Sequence, residues 1–149
     1  MITYQTETLI AIRQEVEPIL MAHWEEIAID KDMALDVDWM FYYQSEFDER
    51  LKIVTVRDDG RLIGYASFFL MNHPHYKTWK FANQDILYID PAYRGKHIGL
   101  GLEKFCEELF RGLGVQVMMH HAKAKHPALV ELLCNVGYQI MDYVLVKKL

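Results

Sequence analysis

The chain has 149 residues, 52% of them hydrophobic and 13% aromatic, which suits one folded domain with its own core and excludes a disordered chain. No apolar run nears the roughly 20 residues of a membrane span, and MITYQTETLI lacks the basic start and apolar core of a signal peptide, so no membrane association is expected. The formal charge of −5 is uneven, with twelve acids against three bases over residues 1–50 and nine against thirteen over residues 51–149, and without a basic stripe or reader motif no nucleic acid is expected as partner.

ITYQTETL alternates and predicts a short first strand. From Leu9 to Ile29, Leu9, Ile12, Val16, Ile19, Leu20, His23, Trp24 and Ile27 recur at helical spacing, and Pro18 inside that run predicts a kink or a late start. DKDMALDVD is a polar break, after which VDWMFYYQSEFDERL predicts a second helix despite its aromatic load. The period then shortens. LKIVTV and LIGYASFFL read as strands joined through Asp59-Gly60, a strong hairpin signal. MNHPHYKTWK reads as a loop or an irregular strand end, and DILYID as a strand closed by Pro91. From Gly99 to about Leu113 a helix carries Leu102, Phe105, Cys106 and Leu109 on one face and closes at Gly112 and Gly114. VQVMMHH is a strand, HPALVELLCNV a short helix with Pro127 in its first turn, and YQIMDYVLVKKL a final strand.

The order β-α-α-β-β-β-α-β-α-β makes a single α/β domain over residues 1–149, a mixed sheet covered by helices. Cys106 and Cys134 have no metal-ligand or thioredoxin-like spacing and read as free thiols of a reducing, cytoplasmic setting. His73-Pro74-His75 and His120-His121 complete no tetrahedral set, so no metal is expected.

LYIDPAYRGKHIGLGL, Leu87 to Leu102, carries the clearest chemistry. A strand runs out at Pro91, a glycine-containing turn follows, and a helix begins near Gly99. The first turn of a helix has unpaired N–H groups and the positive end of the peptide dipole. Gly95 and Gly99 let a ligand approach the backbone closely, and Arg94 and Lys96 add positive charge, which together describe a pyrophosphate site. A Walker loop is excluded because no Lys-Ser/Thr pair follows, and a Rossmann fingerprint fails for want of an acid about twenty residues on.

The segment resembles the acetyl-CoA signature of the GNAT N-acetyltransferase superfamily, in which a strand ending Leu-x-Val/Ile leads to Gln/Arg-x-x-Gly-x-Gly/Ala. Leu87-Tyr88-Ile89 and Arg94-Gly95-Lys96-His97-Ile98-Gly99 stand in those places, and the later HPALVELLCNVGY resembles the family's C-terminal helix and Gly-aromatic pair. The resemblance implies the GNAT fold: a mixed, mostly antiparallel sheet with splayed middle strands and helices on both faces. It implies that acetyl-CoA lies in the opening between the DILYI and VQVMM strands. Leu87, Tyr88 and Ile89 would pair with the pantetheine arm as an added strand would, and the amides from Lys96 to Gly99, with Ile98, would hold the pyrophosphate. It also makes a homodimer admissible. Three positions depart from the pattern. His97 replaces a glycine and is tolerated if its backbone stays helical or extended. His126 stands where an Asn often contacts CoA, and Leu133 where many members carry the Tyr that protonates the leaving thiolate, with Cys134 a poor substitute.

Acetyl transfer to nitrogen needs a neutral amine and a route for its proton. Asp85, two residues before Leu87, resembles the position of a carboxylate base in some members, with a solvated strand-edge Asp as the plain alternative. Asn83 shares its face if no bulge intervenes, and Tyr88 and Tyr143 are reserve acids. The resemblance places Glu25, Glu26, Asp36 and Asp38 where the family's first helices wall the substrate cleft and could pair with a cationic amine, although for most of them a solvated helix face is the preferred reading. Trp39, Phe41, Tyr42 and Tyr43 read as core. The expected activity is therefore acetyl-CoA-dependent N-acetylation of an amine on a small molecule or a protein. The alternative is a CoA-binding or regulatory member of the same fold.

Overall fold

A computed structural model describes residues 1–149. Its elements are β1 (Ile2–Thr6), α1 (Leu9–Ile27), α2 (Trp39–Phe47), β2 (Leu51–Asp58), β3 (Arg61–His73), β4 (Tyr76–Ile89), α3 (Ile98–Gly112), β5 (Val117–Met119) and α4 (Pro127–Asn135), with a 3-10 turn over Pro91–Tyr93. The strands form one open sheet in the order β1-β2-β3-β4-β5, antiparallel throughout except for the parallel β4–β5 pair. No helix is long and apolar enough to cross a membrane.

The period-two alternation of β2 and β3 divides their side chains between two cores. Val54, Val56, Ile63, Ala66 and Phe68 face α3, where they meet Leu102, Cys106 and Phe110. Ile53, Leu51 and Tyr65 face the other way, onto Leu9, Ile12 and Val16 of α1. Helices therefore cover both faces, as the resemblance implied. The β2–β3 hairpin turns through Asp59 and Gly60, both at positive φ (47° and 86°), the left-handed pair that matches strand twist. Gly101 is needed for close approach instead. A Cβ there would collide with the Tyr4 side chain, whose hydroxyl donates to the Ile98 carbonyl and fastens β1 over α3.

Several expected elements differ. Helix α1 starts at Leu9 and runs unbroken through Pro18, which is exposed, so the Gln14 carbonyl that loses its partner stays in reach of water. Strand β4 is far longer than DILYI, because the segment read as a loop pairs with β3 from His73–Tyr76 onward. The expected final strand is absent: residues 138–149 form neither helix nor strand, and Tyr143, Leu145 and Val146 are exposed. A strand exists only against a partner, and β5 offers three residues, Val117–Met119. The last segment instead ends with Lys148 tied to Asp30 and Asp32 at 3.2 and 3.4 Å.

The root of α1 is fixed by Arg57 of β2. Its half-sheltered guanidinium binds Glu7 (Nε–Oε2 2.8 Å) and Glu15 (Nη2–Oε1 2.8 Å), and the Thr55 hydroxyl donates to the same Glu7 carboxylate. Burial raises the Glu7 carboxyl, but hydrogen bonds from Arg57 and Thr55 and the Arg57 charge outweigh it and bring it to about 2. A depressed folded-state value means stability that is complete above the ordinary 4.5 and lost as pH falls towards 2. Urea unfolding between pH 6 and 2 should show that loss, and Glu7→Gln should lower stability at pH 6 while flattening the acid dependence.

Candidate functional site

Strands β4 and β5 pair only at Phe81–Val117, Ala82–Met118 and Asn83–Met119. Opposite, the β3–β4 register slips: Phe68 faces Gln84 and Ser67 faces Ile86, leaving Asp85 as the extra residue of a β-bulge. The ladder to β5 ends beside that bulge. The Gln84 side chain closes it, its Oε1 accepting from the His121 amide at 2.8 Å. Beyond that point the Asp85–Ile89 edge of β4 has no strand beside it, so the sheet opens between β4 and β5.

The free edge leads into the glycine turn. Asp90 caps the 3-10 turn by accepting from the Ala92 amide at 2.9 Å, and Gly95 takes φ 75°. Backbone N–H groups from Gly95 to Leu100, which span the turn and the start of α3, find no acceptor in the chain. Arg94, Lys96, Lys123, Lys125 and His126 surround this end of the molecule with positive charge or its potential. Lys125 Nζ donates to the Glu26 carbonyl at 2.9 Å, joining the start of α4 to the end of α1. His126 Nε2 is buried without a partner. Free amides, a flexible glycine, basic side chains and an orphaned imidazole nitrogen fit a pyrophosphate-bearing ligand such as CoA.

His97 departs from expectation. It precedes α3 at φ 60°, ψ 7°, a left-handed conformation and not the helical or extended one that would tolerate a side chain freely. The chain needs that conformation to turn into α3, and glycine normally supplies it. Ile89 also differs: its carbonyl already accepts from Arg94 Nε at 2.9 Å.

On the other side of the sheet Asp85 faces an apolar cavity of about 190 Å³ between α1, the segment joining α1 to α2, and the sheet. Tyr42 and Ser67 donate to its Oδ2 at 2.9 and 3.2 Å. Desolvation by the surrounding apolar groups pushes its carboxyl above the ordinary range. The two hydrogen bonds and nearby His121 oppose that rise. Asp85 is exposed at the mouth of the cavity, so its proton can reach solvent. Tyr65 lines the same cavity, and its hydroxyl is buried and unpartnered.

The structure thus gathers Leu87, Tyr88, Ile89, the Arg94–Gly99 turn and Asp85 along one stretch of chain. It directs Glu25 and Glu26 elsewhere. Glu26 forks onto Arg94 at 2.7 and 2.8 Å, and Glu25 pairs with Lys31 at 2.9 Å; neither lines the cavity. Leu133 is buried, Cys134 is exposed and Tyr143 stands out in solvent. Sequence reasoning missed Tyr42, Tyr65 and Ser67 as neighbours of Asp85. The one available signal was that Tyr65 and Ser67, two apart on a strand, share a face.

The turn's backbone carries a pair of opposite expectations. His97→Gly should raise the midpoint of thermal unfolding, since it relieves roughly 1 kcal/mol of left-handed strain. Gly95→Ala should lower it by a similar amount, although nothing lies within 4 Å of the added methyl.

The sequence model of the acetyltransferase (GNAT) family matches residues 13–137. No curated protein matches the chain by sequence. Among solved structures, a GCN5-related N-acetyltransferase from Ralstonia eutropha JMP134 superposes with a TM-score of 0.79 at 17% identity, covering 99% of each chain. A ribosomal-protein-alanine N-acetyltransferase from Brucella melitensis biovar Abortus 2308 gives 0.76 at 15% identity, over 100% of this chain and 99% of that one. A predicted acetyltransferase from Clostridium acetobutylicum, solved with acetyl-CoA, gives 0.71 at 15% identity, over 99% and 96%. At such identities the superpositions speak for the fold, and with the family match over most of the chain they make this protein a member of the GNAT acetyltransferase family.

Proposed function

We propose that the protein acetylates a primary amine at the expense of acetyl-CoA, with Asp85 as the proton acceptor. The observation that carries the reading is the opening of β4 from β5 at the Asp85 bulge, directly before a turn whose amides from Gly95 to Leu100 are free. Acetyl-CoA supplies an acetyl thioester. The amides and basic side chains hold its pyrophosphate, with His126 Nε2 as a further donor, and the free edge of β4 receives its arm. Glu26 holds Arg94 in place as a positioning residue. An incoming ammonium gives one proton to the Asp85 carboxylate, which passes it to water. The freed nitrogen then forms its bond to the acetyl carbon as the C–S bond breaks, and the second nitrogen proton ends on the CoA thiol.

A carboxyl with a raised value suits this work, because its basicity lies closer to neutrality. Its proton-accepting form gains population as pH rises through that value. The buried Leu133 supports a second reading, a CoA-binding member with weak catalysis, since no hydroxyl stands there to protonate the thiolate.

Calorimetric titration with acetyl-CoA should show saturable binding; no heat from folded protein sinks the cofactor assignment. With an amine panel followed by thiol release, Asp85→Asn should lower kcat/KM roughly 100-fold with acetyl-CoA affinity retained. No turnover across the panel leaves the second reading standing. Tyr42→Phe removes a hydrogen bond that favours ionised Asp85, so the acid limb of the kcat/KM profile should move to higher pH.

A further inference from the structure

The acceptor side of the site has a character of its own. Thirteen of the sixteen residues lining the cavity beside Asp85 are hydrophobic, with Trp24, Ile27, Leu35, Val37 and Trp39 forming its outer wall. Asp85 is the only charged carboxylate among the lining residues. The acids of the first fifty residues, Glu25 and Glu26 among them, are almost all engaged within the chain. Glu7 and Glu15 bind Arg57, Glu17 binds Arg13, and Glu25 and Glu26 bind Lys31 and Arg94. Asp30 and Asp32 bind Lys148, Asp48 binds Arg50, and Asp38 and Glu46 accept from the backbone amides of Phe41 and Leu9. A polyamine or aminoglycoside would bring several charges to a cavity with one partner for them, and each unpaired charge in an apolar site is costly.

We infer that the acceptor is a primary monoamine carried on an apolar, aromatic-sized body, with its nitrogen between the Asp85 carboxylate and the Tyr65 hydroxyl. The inference rests on the acetyl-transfer reading for its chemistry, and on the cavity alone for its ligand class. The cavity of about 190 Å³ exceeds the roughly 150 Å³ that accepts benzene in an apolar protein site. It has room for a ring and a short chain ending in nitrogen. Tyr65 is buried to 2% exposure, and its hydroxyl lacks any partner in the chain. A buried hydroxyl left unpaired is destabilising, and an amine N–H donating to its oxygen satisfies it. Tyr42 and Ser67 hold Oδ2 of Asp85 from the side, which leaves Oδ1 for the nitrogen.

The test has two arms. Calorimetric titration of the full chain with 2-phenylethylamine requires no acetyl-CoA and should saturate. Leu35→Trp, which fills the cavity from the connecting segment, should weaken that binding about tenfold. Tyr65→Phe, nearly isosteric and so safe for folding, should weaken it roughly threefold or more. In the second arm, thiol release with acetyl-CoA should favour 2-phenylethylamine over spermidine and glycinamide by roughly tenfold or more in kcat/KM. Preference for spermidine or glycinamide overturns the acceptor class while acetyl transfer stands. Absence of 2-phenylethylamine binding, or binding that neither variant weakens, overturns it as well. Failure of acetyl-CoA to bind removes the transfer reading alone, and the amine titration still decides the cavity.

Discussion

Inserting Asp85 into β4, between the residues that face Phe68 and Ser67, bends the strand where its parallel ladder to β5 ends. Two surfaces depend on that one extra residue. Towards β5, the strand edge is freed and leads without interruption into the turn before α3. Towards α1, the extra side chain is turned into the cavity, where Tyr42 and Ser67 can hold it. The bulge therefore joins the place proposed for the thioester to the place proposed for the amine through a single backbone irregularity.

Long-range pairing then assembles the rest around this opening. Arg94 reaches both the Ile89 carbonyl and the Glu26 carboxylate, so the turn is tied to the strand it leaves and to the far end of α1. Lys125, just before α4, adds a link to the same helix end. His23, beside this junction, is held below the ordinary imidazole value by burial, with Arg94, Lys123 and His126 adding to that effect against Glu26. The end of α1 thus lies between the basic turn and the apolar cavity.

Much of the fold was legible because burial imposes a period. Leu9, Ile12 and Val16 announced the inner face of α1; of the face expected for α3, Leu102 and Cys106 are buried and Phe105 and Leu109 are partly buried, while Phe110 joins them in the core. The turn was legible because Gly95 and the strand-to-helix change are local. The bulge was not, since it exists only in the pairing with β3, which no stretch of β4 encodes alone. The same holds for Glu26, whose partner lies 68 residues away, and whose exposed helical position looked free. The extent of β4 was hidden by polar residues such as Lys77 and Lys80, which suit an exposed strand as well as a loop. YQIMDYVLVKKL misled in the opposite sense, with a strand's pattern and no strand to join. His97 shows the limit of residue type as a guide to backbone: an imidazole sits where glycine is the easy choice.

The two ends of α1 are anchored by ion pairs of unequal shelter. Arg57 at the root is 12% exposed against Glu7 and Glu15, whereas the Arg94–Glu26 fork at the other end is 43% and 31% exposed. Counterions screen exposed charges over about 8 Å at physiological ionic strength and act far less on sheltered ones. Ionic strength therefore loosens one end of the helix before the other. The helix is held firmly at its β2 root and salt-sensitively at its other end, beside the turn proposed to hold the pyrophosphate.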